Sequence, residues 1–214
     1  MDDSMELLLS NRRFLYTLLA RAFASEPDGT LLGVVMDERT GDECALLDGD
    51  EGAGRRLWRV LADEAAADED DRLRSEYTRL FLGPEKLPAP PWESVYVNGE
   101  PLLFQESTLV VREAYRRSGY VSAGYPREAD DHVAIELDFM ATLAAKTCEA
   151  AAGDRGALEA QRAFLEEHLL AWVDSFAERL GSCDTVSGFY PSFARLAALA
   201  CRRDAGVLKE LLAA

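Results

Sequence analysis

Apolar residues in this chain recur at three- and four-residue steps almost from end to end, and nowhere do they alternate over a useful length. The three-to-four step lines one face of an α-helix, whereas a strand needs a two-residue step. The first stripe, Leu7, Leu8, Phe14, Leu15, Leu18, Leu19, Ala22 and Phe23, predicts a helix over 6–24. The run Glu26-Pro27-Asp28-Gly29 ends it, with Pro27 suited to open the next element. Helices are also predicted over 57–67, 72–82, 105–117, 130–151, 157–180 and 187–212. A short apolar piece covers 30–36, and the glycine- and acid-rich stretch 37–54 is expected to be loop. Asp130 and Asp131 fall in the first turn of the 130–151 helix, where carboxylates suit the helix dipole.

One segment breaks the periodicity. Five of the eight prolines lie between Pro84 and Pro101. The run Pro88-Ala89-Pro90-Pro91 cannot be helical and is expected to be extended and stiff. The expected architecture is therefore all-α: a single-domain bundle of about eight to ten helices. The proline-rich segment 84–104 would join an N-terminal half, 1–83, to a C-terminal half, 105–214. Halves joined this way can exchange between protomers. A monomer is expected, with a swapped dimer as the alternative.

Composition narrows the function. With 214 residues, 48% of them hydrophobic, the chain can bury a sizeable core. Apolar runs are short and interrupted by charge, so no stable membrane insertion is expected. The acidic start, Asp2-Asp3-Ser4-Met5-Glu6, is unlike a secretory signal, so the expected location is cytoplasmic. A net charge of −16 opposes nucleic-acid binding and permits attraction to basic peptides. Only Lys86, Lys146 and Lys209 among 23 basic residues are lysines, a bias that a host genome can also impose. Cys44, Cys148, Cys183 and Cys201 are scattered, as in reduced, buried, inert thiols. No phosphate loop, dinucleotide fingerprint or nucleophile elbow occurs, so no cofactor and no catalytic residue are assigned.

Three stretches are more specific than a helix requires. They are Tyr77-Thr78-Arg79-Leu80-Phe81-Leu82-Gly83-Pro84, Pro90-Pro91-Trp92-Glu93-Ser94-Val95-Tyr96, and the run from Glu128 to Met140 that holds Asp131-His132. A fourth, Phe164 to Trp172, carries His168. In this order and spacing they resemble the TorD/DmsD family of redox-enzyme maturation chaperones, relatives of the NarJ type. The resemblance is clear over 72–180 and weaker outside. Two positions depart from common family patterns: Glu85-Lys86-Leu87 stands where some relatives place an aromatic, and Ala129 where many have proline.

The resemblance implies a non-enzymatic chaperone. It would bind the twin-arginine leader, and the apo form, of a molybdenum-containing oxidoreductase of the DMSO-reductase type, and delay export until the cofactor is loaded. It implies leader binding by Pro91, Trp92, Ser94, Asp131 and His132, with Tyr96 and Glu136 beside them. Asp131 would pair with a leader arginine and Trp92 would offer an aromatic face. Plainer readings exist for the same residues. Asp131 can charge a helix terminus, His132 can pair with Glu136 four residues on, and Trp92 can pin the loop to the core. Glu93 is expected at the surface and His168 in a core stripe. Two further hypotheses stay open: a metal-dependent bundle enzyme using Asp131, His132 and Glu136, with no metal ligands assigned, and an interaction module of the same fold.

Overall fold

The computed structural model describes residues 3–43, 52–69, 71–83, 86–99, 105–125, 128–150, 153–183 and 187–213. Among them are helices α1 (Asp3–Ala24), α2 (Gly29–Met36), α3 (Glu38–Glu43), α4 (Ala53–Ala66), α5 (Arg72–Tyr77), α6 (Glu93–Val97), α7 (Glu106–Arg117), α8 (Val133–Glu149), α9 (Arg155–Phe164), α10 (Leu170–Gly181) and α11 (Phe189–Ala213). No strand occurs among the described residues; the single β-type feature is an isolated antiparallel bridge between Trp92 and His132. The all-α expectation holds. With α9, the turn that follows it and α10 forming one continuous helix from Arg155 to Gly181, the described helices number ten, within the expected eight to ten. Contrary to expectation, 38–43 is helical rather than loop. Cys44 and residues 44–51 lie outside the described residues.

Two helices carry a turn of π-helix. Thr78–Leu82 continues α5, and Leu165–Leu169 joins α9 to α10. A π turn inserts one residue and rotates the next part of the helix, which is why such turns gather where a side chain must be re-aimed. Leu82, at the end of the first, is 62% exposed next to buried Leu80 and Phe81.

Helix α8 is central. It lies along α1 and packs on α9, and nearly every side of it is buried. Helix α11 covers α10, α4 and α9. Phe23 sits among Phe81, Phe176 and Phe193 with ring centroids 5.7–6.4 Å apart. The buried face of α1 is displaced from the expected stripe. Leu7 is exposed, Leu9 is buried, and the charged Arg12 is fully buried. Arg12 donates to Asp204 of α11 and to Gln161 of α9, and the Tyr16 hydroxyl donates to the same carboxylate at 2.8 Å. A polar clamp thus ties three helices within the apolar core.

The described part of the proline segment, 86–99, is packed rather than free. Ala89, Pro90 and Pro91 are buried, Arg179 donates to the Pro88 carbonyl at 2.6 Å, and α6 lies against α10. Among the described residues, Cys201 is buried, and Cys148 and Cys183 are half-buried.

Candidate functional site

Pro91 has no N–H, so it can join a backbone ladder only through its carbonyl. It does so: the Val133 N–H donates to the Pro91 carbonyl at 2.9 Å, and the Glu93 N–H donates to the Asp131 carbonyl at 2.9 Å. This pair of bonds sets Trp92 opposite His132, with rings 5.4 Å apart and inclined at 77°. The proline loop and the Asp-His segment, 40 positions apart in the chain from Trp92 to His132, are thus one structural unit.

Two buried carboxylates fix that unit. Asp131 accepts the Ser94 N–H and the Thr108 hydroxyl, each at 3.0 Å. Asp130 accepts the Ser122 hydroxyl at 2.7 Å and Arg112 Nε at 2.6 Å, and its carbonyl accepts the Tyr115 hydroxyl at 3.0 Å. Neither aspartate lies in the first turn of α8, which starts two residues later than Asp131. The N-cap is His132, whose Nδ1 accepts the Ala134 N–H at 3.1 Å. Burial pushes the His132 imidazole down to about 4, against the opposing pull of Asp131. At neutral pH the ring is therefore uncharged, and with Nδ1 accepting, Nε2 carries the proton.

Beside this bridge runs a groove of about 380 Å³. Its walls are Phe23 and Ala24 of α1, Tyr77, Phe81 and Leu82 around the first π turn, and Ile135 of α8, with Trp92 and His132 along one edge. Glu128 is exposed at the rim, close enough to Tyr77 to act on its hydroxyl. It forms no ion pair with a described residue, while nearby Glu26 pairs with Arg74 at 3.5 Å. The groove is thus an apolar trough with one free carboxylate and one neutral imidazole.

Of the seven expected binding residues, Trp92 and His132 line the groove. Pro91, Ser94, Asp131 and Glu136 are buried beneath it. Asp131 is fully buried with its two donors and braces the loop. Tyr96 stacks on Trp172, centroids 5.4 Å apart, and the Arg179 guanidinium lies over the Tyr96 ring at 5.9 Å. Glu136 accepts the Trp172 indole N–H at 3.1 Å and does not pair with His132. Burial, and then the facing Glu93, push its carboxyl well above the ordinary range. Glu93, expected at the surface, is 3% exposed and meets His168 Nδ1 at 3.1 Å. Thr108, Leu82 and Glu128 carry roles that the sequence motifs do not assign them. Glu128 opens the third of the specific stretches, but no binding role is assigned to it there.

These positions do not make a metal centre. Asp131, His132 and Glu136 each engage a different partner, and among the described residues no three His, Cys, Asp or Glu side chains cluster to hold an ion.

Residues 48–178 match the family model described as nitrate reductase delta subunit. The chain is 30% identical over 213 residues to the chaperone protein TorD of Shewanella pealeana, covering 94% of this chain and 91% of that one. This chain belongs to the TorD/DmsD family. Other members of the TorD/DmsD family match over less of their length. The chaperone protein TorD of Vibrio cholerae is 37% identical over 142 residues, 65% of this chain and 64% of the relative. The Tat proofreading chaperone DmsD of Salmonella typhi is 31% identical over 134 residues, 61% and 59% respectively. The chain therefore spans less than two thirds of those two relatives. A crystal structure of an Archaeoglobus fulgidus protein named for redox enzyme maturation shares the fold, with a TM-score of 0.51 over 87% of this chain and 91% of that one, at 22% identity.

Proposed function

We propose that this protein is a cytoplasmic chaperone that acts by binding and not by catalysis, holding the twin-arginine leader of a molybdenum-containing oxidoreductase of the DMSO-reductase type while the apo-enzyme is loaded. The observation that carries this reading is the groove itself: an apolar trough with Glu128 free at its rim and Trp92 and His132 along one edge. Relatives named as TorD chaperones and Tat proofreading chaperones point the same way. Among the described residues, no helix is long and apolar enough to cross a membrane.

A twin-arginine leader is basic at one end and apolar in the middle. The apolar part would lie on Tyr77, Phe81, Leu82 and Ile135, as amphipathic segments do in hydrophobic grooves. A guanidinium would reach Glu128, whose carboxylate it matches in geometry, with the Trp92 ring as a neighbouring aromatic face. The His132 Nε2–H would donate to a peptide carbonyl. The net charge of −16 draws a basic segment in and speeds encounter.

Calorimetric titration with twin-arginine leader peptides from the same genome tests this. Micromolar or tighter binding to one leader is expected, lost when both arginines become lysines and weakened by Glu128→Gln. No binding to any leader by folded protein would leave an interaction module with another partner.

A further inference from the structure

Trp92 has extended backbone, with φ −123° and ψ 132°, and in extended chain adjacent side chains point to opposite sides. Trp92 lines the groove, and Glu93 turns inward. There the Glu93 carboxylate meets His168 Nδ1 at 3.1 and 3.2 Å, in the π turn that joins α9 to α10. The Phe164 ring lies 4.7 Å from the His168 ring, and the Glu136 carboxyl faces Glu93 from α8.

This is an expensive way to fasten a loop. Apolar residues of similar size would hold it as firmly without burying charge. The cluster also has hydrogen-bonding capacity to spare, since Glu136 Oε1 and His168 Nε2 are buried and have no hydrogen-bond partner among the described residues. A π turn is rare and occurs mostly as a single-turn bulge inside α-helices, frequently at functional sites. Charge, spare polar atoms and an irregular turn meet directly behind Trp92, the groove residue next to Glu93 in the chain.

We infer that Glu93 is a positioning residue that couples occupancy of the groove to the α9–α10 junction: a ligand that moves Trp92 moves Glu93, and Glu93 carries His168 with it. The inference rests on the leader-groove reading. It assigns the buried pair a role in transmission, beyond holding the fold together.

The chain has two histidines, one at the groove and one behind it, so imidazole NMR signals report the two places separately. Full-length protein with labelled histidine is titrated with a twin-arginine leader peptide. Both His132 and His168 are expected to shift together along one binding curve. In Glu93→Gln protein, His132 still shifts, His168 no longer responds, and affinity falls about tenfold. A His132 shift with His168 unmoved in the unmodified protein would overturn the inference and leave the groove reading intact. An unmodified affinity in Glu93→Gln would overturn it as well. Neither signal moving at saturating peptide would overturn the groove reading, and the inference with it.

Discussion

The Asp131 carboxylate accepts the Ser94 backbone N–H at 3.0 Å from a position with no exposure to solvent. Its other oxygen takes the Thr108 hydroxyl at 3.0 Å. A residue expected to grip the ligand therefore grips the loop that carries Trp92. The two roles separate by experiment. Thr108→Val removes one hydrogen bond to a charged acceptor and should cost about 1.5–3 kcal/mol of stability, read by urea unfolding. Leader affinity should fall with it, because the Trp92 loop loosens. Were Asp131 the arginine receptor, freeing its oxygen would leave affinity unchanged or improve it.

His132 gives a pH signature. Its folded-state value, about 4, lies below the ordinary value of 6.5. The unfolded chain thus binds the proton first as pH falls, so this contribution to stability is complete above about 6.5 and is lost down to about 4. The loss should be on the order of 1–2 kcal/mol, tempered by the ring's partial exposure to water. His132→Asn keeps an acceptor at the N-cap and cannot titrate, so the drop between those pH values should shrink by that amount. Unfolding midpoints at pH 4, 5 and 7 measure it.

Glu136 has the opposite sign. Its folded-state value is raised, so its contribution is complete below about 4.5 and is lost as pH climbs through the raised value. Glu136→Gln keeps an acceptor for the Trp172 indole and adds a donor for Glu93. The variant should gain stability over the parent progressively from pH 5 to pH 8. A difference that stays constant with pH would show that Glu136 does not titrate there.

Arg12 and Asp204 test the clamp inside the core. Removing one member of a buried, hydrogen-bonded pair strands the other, at a cost of about 3–5 kcal/mol. Arg12→Leu should lower the thermal midpoint sharply, and Arg12→Leu with Asp204→Leu should recover part of the loss. Leader affinity of the folded fraction should be unchanged, because neither residue lines the groove.

Much of this fold is legible in the sequence because apolar steps of three and four survive in all the long helices, and because proline forbids helix at 88–91. Periodicity cannot supply what polar contacts between distant segments set. Arg12 looks like a surface residue until Asp204 and Gln161 are brought to it. Glu93 looks like one until His168 is. The start of α8 departs from expectation for the same reason: Asp130 and Asp131 fit a first helical turn, yet both side chains are claimed by α7 and its neighbouring loops, so the cap passes to His132. Trp92 and His132 are marked as binding residues by their motifs. Leu82 and Glu128 are not, because a π turn and a loop position them, and neither leaves a periodic trace.

The central claim is that the leader lies in the groove along Trp92. The three tryptophans make it directly testable, since Trp92 lines the groove, Trp172 lies behind it in the core and Trp58 lies on α4. Fluorotryptophan is incorporated into the full chain, the Trp92 signal is assigned with Trp92→Phe, and a twin-arginine leader peptide is titrated in while fluorine NMR is recorded. The account predicts a saturable shift of the Trp92 signal with Trp58 unmoved. A saturable shift of Trp58 with Trp92 unmoved would place the leader elsewhere and contradict the account.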